Sequence, residues 1–112
     1  MSKRSFPLGW MRSYWRLNLI ESSLKMSVFM VERDLKGISM ADLGGTQQAA
    51  ITTAQAMTAQ GTRISYIRST FAPEDGRCMC LFDAASDADV RRLNDEAGLP
   101  YHRVVQALDL TP

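Results

Sequence analysis

Three side chains in this sequence have the chemistry to ligate a soft or borderline metal: Cys78, Cys80 and His102. As thiolates the two cysteines could hold nickel or copper, and the imidazole of the single histidine would complete the set. One histidine per chain would leave a partner subunit, or the carboxylates Glu32, Glu74 and Asp75, to fill the remaining positions. The i, i+2 spacing matches neither a thioredoxin-type Cys-x-x-Cys nor a zinc knuckle. The competing reading is plainer: free cysteines are commonly small core residues, and His102, beside Pro100 and Tyr101, has the setting of an exposed turn.

A second constellation is polar and lies within strand-like stretches: Glu32, Tyr66, Arg68 and Gln106. Placed on one sheet face in phase with the cysteines, these groups would have to satisfy one another, with Glu32 and Arg68 as an ion pair. That would make a pocket for a small acid or an oxygenated ligand; the alternative is a structural ion pair at a sheet end. No Ser-His-Asp or Cys-His-Asn arrangement can be assembled around the lone histidine, so no catalytic residue is assigned.

Composition bounds what such groups can serve. A chain of 112 residues, 46% hydrophobic and 22% charged, supports one modest core. Its net charge of +1 divides into +4 over residues 1–25 and −3 over residues 26–112, so the globular part offers no basic footprint for nucleic acid. Alternate Cβ atoms on a strand lie roughly 7 Å apart, too far for an ordinary disulfide, so the cysteines are read as free thiols of a reducing cytoplasm. No run approaches the roughly 20 apolar residues of a membrane helix.

The elements that must position these residues begin after residue 25. Residues 27–33 (Ser-Val-Phe-Met-Val-Glu-Arg) read as a strand with Val28, Met30 and Glu32 on one face and Phe29 and Val31 on the other. Ser39, with Asp42 three residues on, caps a helix that runs to about Gln60 and stops at Gly61, with Met40, Leu43, Ala50, Ala54 and Met57 inward. Gly44-Gly45 lies inside that helix and lacks the further glycines and lysine of a phosphate loop. Residues 62–71 form a second strand, with Ile64, Tyr66, Arg68 and Thr70 on one face and Ser65, Ile67, Ser69 and Phe71 on the other. Ala72-Pro73-Glu74-Asp75-Gly76 turns the chain into a third strand. Its residues 77–83 are apolar on both faces, which demands a central position. Ser86 caps a second helix with Val90, Leu93 and Ala97 inward; Gly98-Leu99-Pro100 ends it, and residues 102–110 make a fourth strand.

The order β-α-β-β-α-β, with a central hairpin and right-handed crossovers, predicts an α+β, ferredoxin-like sandwich: an antiparallel sheet ordered 4-1-3-2 with both helices on one face. The uncovered face would carry Val28, Met30, Phe82 and Val104, or their alternates, which is too apolar for open water. A homodimer, two sheets facing in an α/β barrel, is the expected remedy. Residues 1–25 read as an appendage: as a helix they would align Trp10, Tyr14 and Leu17 on one face, Met11, Trp15 and Leu19 on a neighbouring one, and stack Arg12 on Arg16. That pattern suits a membrane surface or a partner; the favoured reading is the plainer one, a mobile arm or upstream sequence, with Met26 opening the domain proper at 26–112.

At Val-Phe-Met-Val-Glu (28–32), Arg-Cys-Met-Cys-Leu-Phe-Asp-Ala (77–84) and Ala-Gly-Leu-Pro-Tyr-His-Arg (97–103), with Phe-Ala-Pro-Glu-Asp joining the middle strands, the chain resembles a bacterial family of short proteins, most of unknown function. That family includes a nickel-binding, nickel-responsive cytosolic protein with a dimeric ferredoxin-like barrel. The resemblance covers about residues 26–110 and implies a small dimeric cytosolic protein that binds or senses nickel or another divalent transition metal, nickel being the cofactor it would take. It implies no ligand positions. Two other readings stand beside it: a cofactor-free dimeric-barrel enzyme, monooxygenase- or isomerase-like, working from the polar pocket, and an interaction module recruited through the N-terminal segment.

Overall fold

The computed structural model describes residues 25–112. The expectation for residues 1–24 of the extension lies outside the described residues. The elements are β1 (Ser27–Asp34), α1 (Met40–Ala59), β2 (Ile64–Ala72), β3 (Arg77–Ala84), α2 (Asp87–Ala97) and β4 (Arg103–Ala107). All three strand pairs are antiparallel and the sheet order is β2-β3-β1-β4, the expected 4-1-3-2 seen from the other edge. β3 is therefore central, as its two apolar faces require.

Each helix starts where its cap dictates. Ser39 accepts from the Asp42 amide at 3.1 Å and Ser86 from the Asp89 amide at 3.2 Å, meeting one orphan donor at each helix start. α1 ends at Gln60, and α2 ends at Gly98, which holds the left-handed conformation (φ 69°). Thr58 then ties α1 to the next strand: its hydroxyl donates to the Ile64 carbonyl at 2.8 Å and accepts from the Ile64 amide at 3.1 Å. The β2–β3 turn closes on Gly76 (φ 75°), where a Cβ would stand 2.3 Å from the Lys36 Cα, so only glycine fits beneath the β1–α1 turn.

The core lies between sheet and helices. Phe29 and Val31 from β1, Cys78, Cys80, Phe82 and Ala84 from β3, Ile64 and Val104 meet Ala50, Ala54 and Met57 of α1 and Val90 and Leu93 of α2. The opposite face presents half-buried Val28, Met30, Met79, Leu81 and Val105, and among the described residues no helix covers it.

Four expectations need correction. Met40 is 76% exposed and not part of the inner stripe of α1, because it sits at the first helical position, before the helix reaches the sheet. Phe82 and Val104 face the helices; the alternates Leu81 and Val105 hold the open face. β4 stops at Ala107, since β1 offers no partner beyond the Val28–Ala107 pair, and Leu108 and Leu110 stand exposed. β2 does not alternate regularly: a bulge between Tyr66 and Arg68 inserts one residue against β3 and reverses the faces beyond it. Tyr66 thus lies inward with Phe82, their rings edge-to-face at 5.6 Å, while Arg68 lies outward opposite Leu81. Ser69 and Phe71 follow Tyr66 to the inner side.

Candidate functional site: a thiol pair beside a buried arginine

The bulge puts Tyr66 and Ser69 on the same side of the sheet as the two cysteines, and a chain of hydrogen bonds results. Gln47 of α1 donates through Nε2 to the Tyr66 hydroxyl at 3.0 Å, and the Tyr66 hydroxyl lies 2.6 Å from Ser69 Oγ. Ser69 Oγ donates to Cys80 Sγ at 3.0 Å, so the chain runs toward the sulfur. Cys78 Sγ lies 3.8 Å from Cys80 Sγ. The two side chains project the same way from a central strand, and both thiols are free and buried.

Arg33 supplies the charge. It follows Phe29 and Val31 on the inner face of β1, pairs with Cys78 across the β1–β3 ladder, and is only 2% exposed. Its Nη1 donates to Asn94 Oδ1 at 2.6 Å and to the Pro100 carbonyl at 3.3 Å. Asn94 is itself held by donating to the Val90 carbonyl at 2.8 Å, so α2 presents a fixed acceptor. Arg33 has no carboxylate partner among the described residues, and its Nε and Nη2 are buried with no hydrogen-bond partner at all. A buried cation so placed costs several kcal/mol unless an anion answers it, on the order of magnitude found for desolvating one ion.

Cys80 is the group that answers. The Cys78 thiol beside it favours the thiolate most; burial opposes ionisation, and the Arg33 charge and the Ser69 hydroxyl favour it, leaving the Cys80 thiol pushed down to about 5. Cys78 moves the opposite way, held protonated by its hydrogen bond to the Cys80 sulfur and by burial. The pair thus shares one proton, with Cys80 the more acidic of the two thiols. Above it a cavity of about 140 Å³ opens between α1 and the sheet, lined by Arg33, Gln47, Tyr66, Ser69, Cys78 and Cys80 with Leu43, Thr46, Ala50 and Phe71. The small side chain of Ala50, 1% exposed, leaves this room on the inner face of α1.

The residues expected to do chemistry are divided by the sheet. Of the polar set, Tyr66 joins the inner cavity. Glu32 and Arg68 lie on the open face and do not pair. Glu32 meets Arg103 and, at 3.5 Å, Arg77, and the Arg103 guanidinium chiefly holds its carboxyl below the usual range. Arg68 pairs with Asp109 at 2.9 Å. Gln106 lies opposite Phe29 near the far end of β1 and reaches only Ser27, at 3.5 Å. The expected four-residue pocket therefore does not form within one chain; the β-bulge separates Arg68 from Tyr66, and strand parity separates Glu32 from both Gln106 and the cysteines.

The metal set is divided too. Cys78 borders both spaces: with exposed His102 it lines a cleft at the sheet end beside Glu32, Asp34, Asp75, Arg33 and Arg77, whereas Cys80 lines the cavity alone. His102 is fixed there by its amide, which donates to the Glu32 carbonyl at 2.7 Å. Among the described residues no group of three or more His, Cys, Asp and Glu side chains could hold a metal ion.

Comparison with known proteins gives a consistent picture. The family model described as "Nickel responsive protein SCO4226-like" matches residues 29–106. The crystal structure of SCO4226 from Streptomyces coelicolor A3(2) is similar in fold, with a TM-score of 0.64 and 20% identity over 76% of this chain and 100% of that one. No curated protein matches.

Proposed function

Since this chain belongs to the SCO4226-like family of nickel-responsive proteins, we propose that it is a small homodimeric protein that binds or senses nickel or another divalent transition metal. The family match over residues 29–106 carries this reading. The cleft at the sheet end supports it, since it gathers one thiol, one imidazole and three carboxylates, donors suited to a borderline cation, although Arg33 and Arg77 share its wall. One protomer alone does not complete that set. The metal would therefore sit where a second subunit or water supplies further ligands, with Cys78, His102, Glu32 and Asp75 as this chain's contribution.

The half-buried apolar band of Met30, Met79, Leu81 and Val105 favours a partner sheet on the open face, and Glu32 at its border would lie near that contact. Cys80 lines the cavity and not the cleft, so it is not counted among the ligands. A reducing cytoplasm suits the free thiols. Among the described residues no helix is long and apolar enough to cross a membrane.

Calorimetric titration with nickel, zinc and copper tests the reading. Wild type should take up nickel, His102→Ala and Cys78→Ser should each weaken it by at least about tenfold, or about 1.4 kcal/mol, and Cys80→Ser, which removes the partner that holds the Cys78 proton, should not weaken it. Absence of uptake by wild type would end the metal reading; uptake that survives both His102→Ala and Cys78→Ser would move it away from this cleft.

A further inference from the structure

The metal reading leaves the cavity under α1 without a role, although its wall includes a buried and underpaired cation. Arg33 is 2% exposed, lines that cavity, and spends only Nη1 on the protein. The two nitrogens left over, Nε and Nη2, are not an arbitrary pair. In a guanidinium their N–H bonds run parallel along one edge, the edge that receives both oxygens of a carboxylate as a two-pronged contact. A buried pair of donors of this kind is rarely left idle, because each unmet donor forfeits its hydration.

We propose that this cavity is a binding site for a short-chain monocarboxylate, with the carboxylate seated on the Nε–Nη2 edge of Arg33. The rest of the wall fits such a ligand. Leu43, Ala50 and Phe71 supply an apolar side for two or three carbons, and Thr46 contributes a hydroxyl beside Gln47. At about 140 Å³ the cavity is smaller than the roughly 300–1,000 Å³ of ordinary drug-sized sites, which limits the ligand to a few heavy atoms. Asn94 and the Pro100 carbonyl hold the guanidinium from the opposite edge, so the fork is positioned before a ligand arrives and little ordering entropy is lost. This site shares Arg33 and Cys78 with the wall of the proposed metal cleft but uses neither His102 nor the carboxylates, so either reading can fail without the other.

The test is an NMR titration of the full chain with propionate, read at the Arg33 Nε–H signal, with chloride at equal ionic strength as control. In wild type the signal should move saturably with propionate and not with chloride. Arg33→Lys keeps the charge but not the fork and, read at the backbone amides of the cavity-lining Ala50 and Tyr66, should weaken propionate at least tenfold. A wild-type signal unmoved by propionate overturns the proposal without recourse to any variant. Equal response to chloride overturns the carboxylate specificity, and propionate binding that Arg33→Lys leaves unweakened overturns the role of the fork.

Discussion

The two faces of the sheet are built from the same strands, yet they treat charge in opposite ways. On the open face Glu32 is answered by Arg103 and Arg77, and Arg68 by Asp109, with all three arginine side chains more than half exposed. Such pairs contribute little, since water screens them. On the inner face, one residue further along β1, Arg33 is sealed beneath α2 with no carboxylate partner. There the dielectric is low, the cost of the charge is high, and a depressed thiol is what balances it. Paired surface charge is therefore weak evidence of function in this fold, and an underpaired buried one is strong evidence.

The largest expected effect contrasts neighbouring residues of β3. Phe82→Ala should lower stability by about 3–5 kcal/mol in urea unfolding, because Phe82 is fully buried and its cavity cannot collapse. Leu81→Ala, one position away on the open face, should cost about 1 kcal/mol or less in a monomer. In a homodimer the loss should grow with protein concentration, so a Leu81→Ala effect independent of concentration would count against the partner sheet.

A middle-sized effect separates the faces by pH. The folded Cys80 thiol is depressed, so its stabilisation is complete above the ordinary thiol range near pH 8.5–9 and drains away as pH falls toward about 5. Cys80→Ala should flatten that slope of unfolding free energy, and an unchanged slope would place the sensitivity elsewhere. Glu32→Gln should have the smallest effect: at neutral pH its stability curve should nearly overlay wild type, and what difference exists should shrink with added salt, because both arginines facing Glu32 are exposed. A Glu32→Gln loss as large as that of a core residue would erase the contrast between the faces.

Much of the fold was legible because hydrophobic period and helix caps agree. Residues 77–83 announce a two-faced central strand, Ser39 and Ser86 announce helix starts, and each appears where expected. The site was less legible, for two physical reasons. The bulge between Tyr66 and Arg68 carries no glycine, so nothing in 62–71 marks the place where the faces reverse. Arg33 looks like the charged end of a strand meeting solvent. What buries it is Asn94 and the Pro100 carbonyl, 61 and 67 residues away in sequence. Its parity with Phe29 and Val31 was the available signal, and it pointed inward.

The most direct measurement of the contrast is a pH titration of the Cβ carbon resonances of Cys78 and Cys80 in the folded protein. If the inner face holds a thiolate against Arg33, Cys80 titrates with a midpoint near 5, Cys78 stays protonated through neutral pH, and Cys78→Ala raises the Cys80 midpoint. Two thiols titrating together near the ordinary value of about 8.5 would contradict the account.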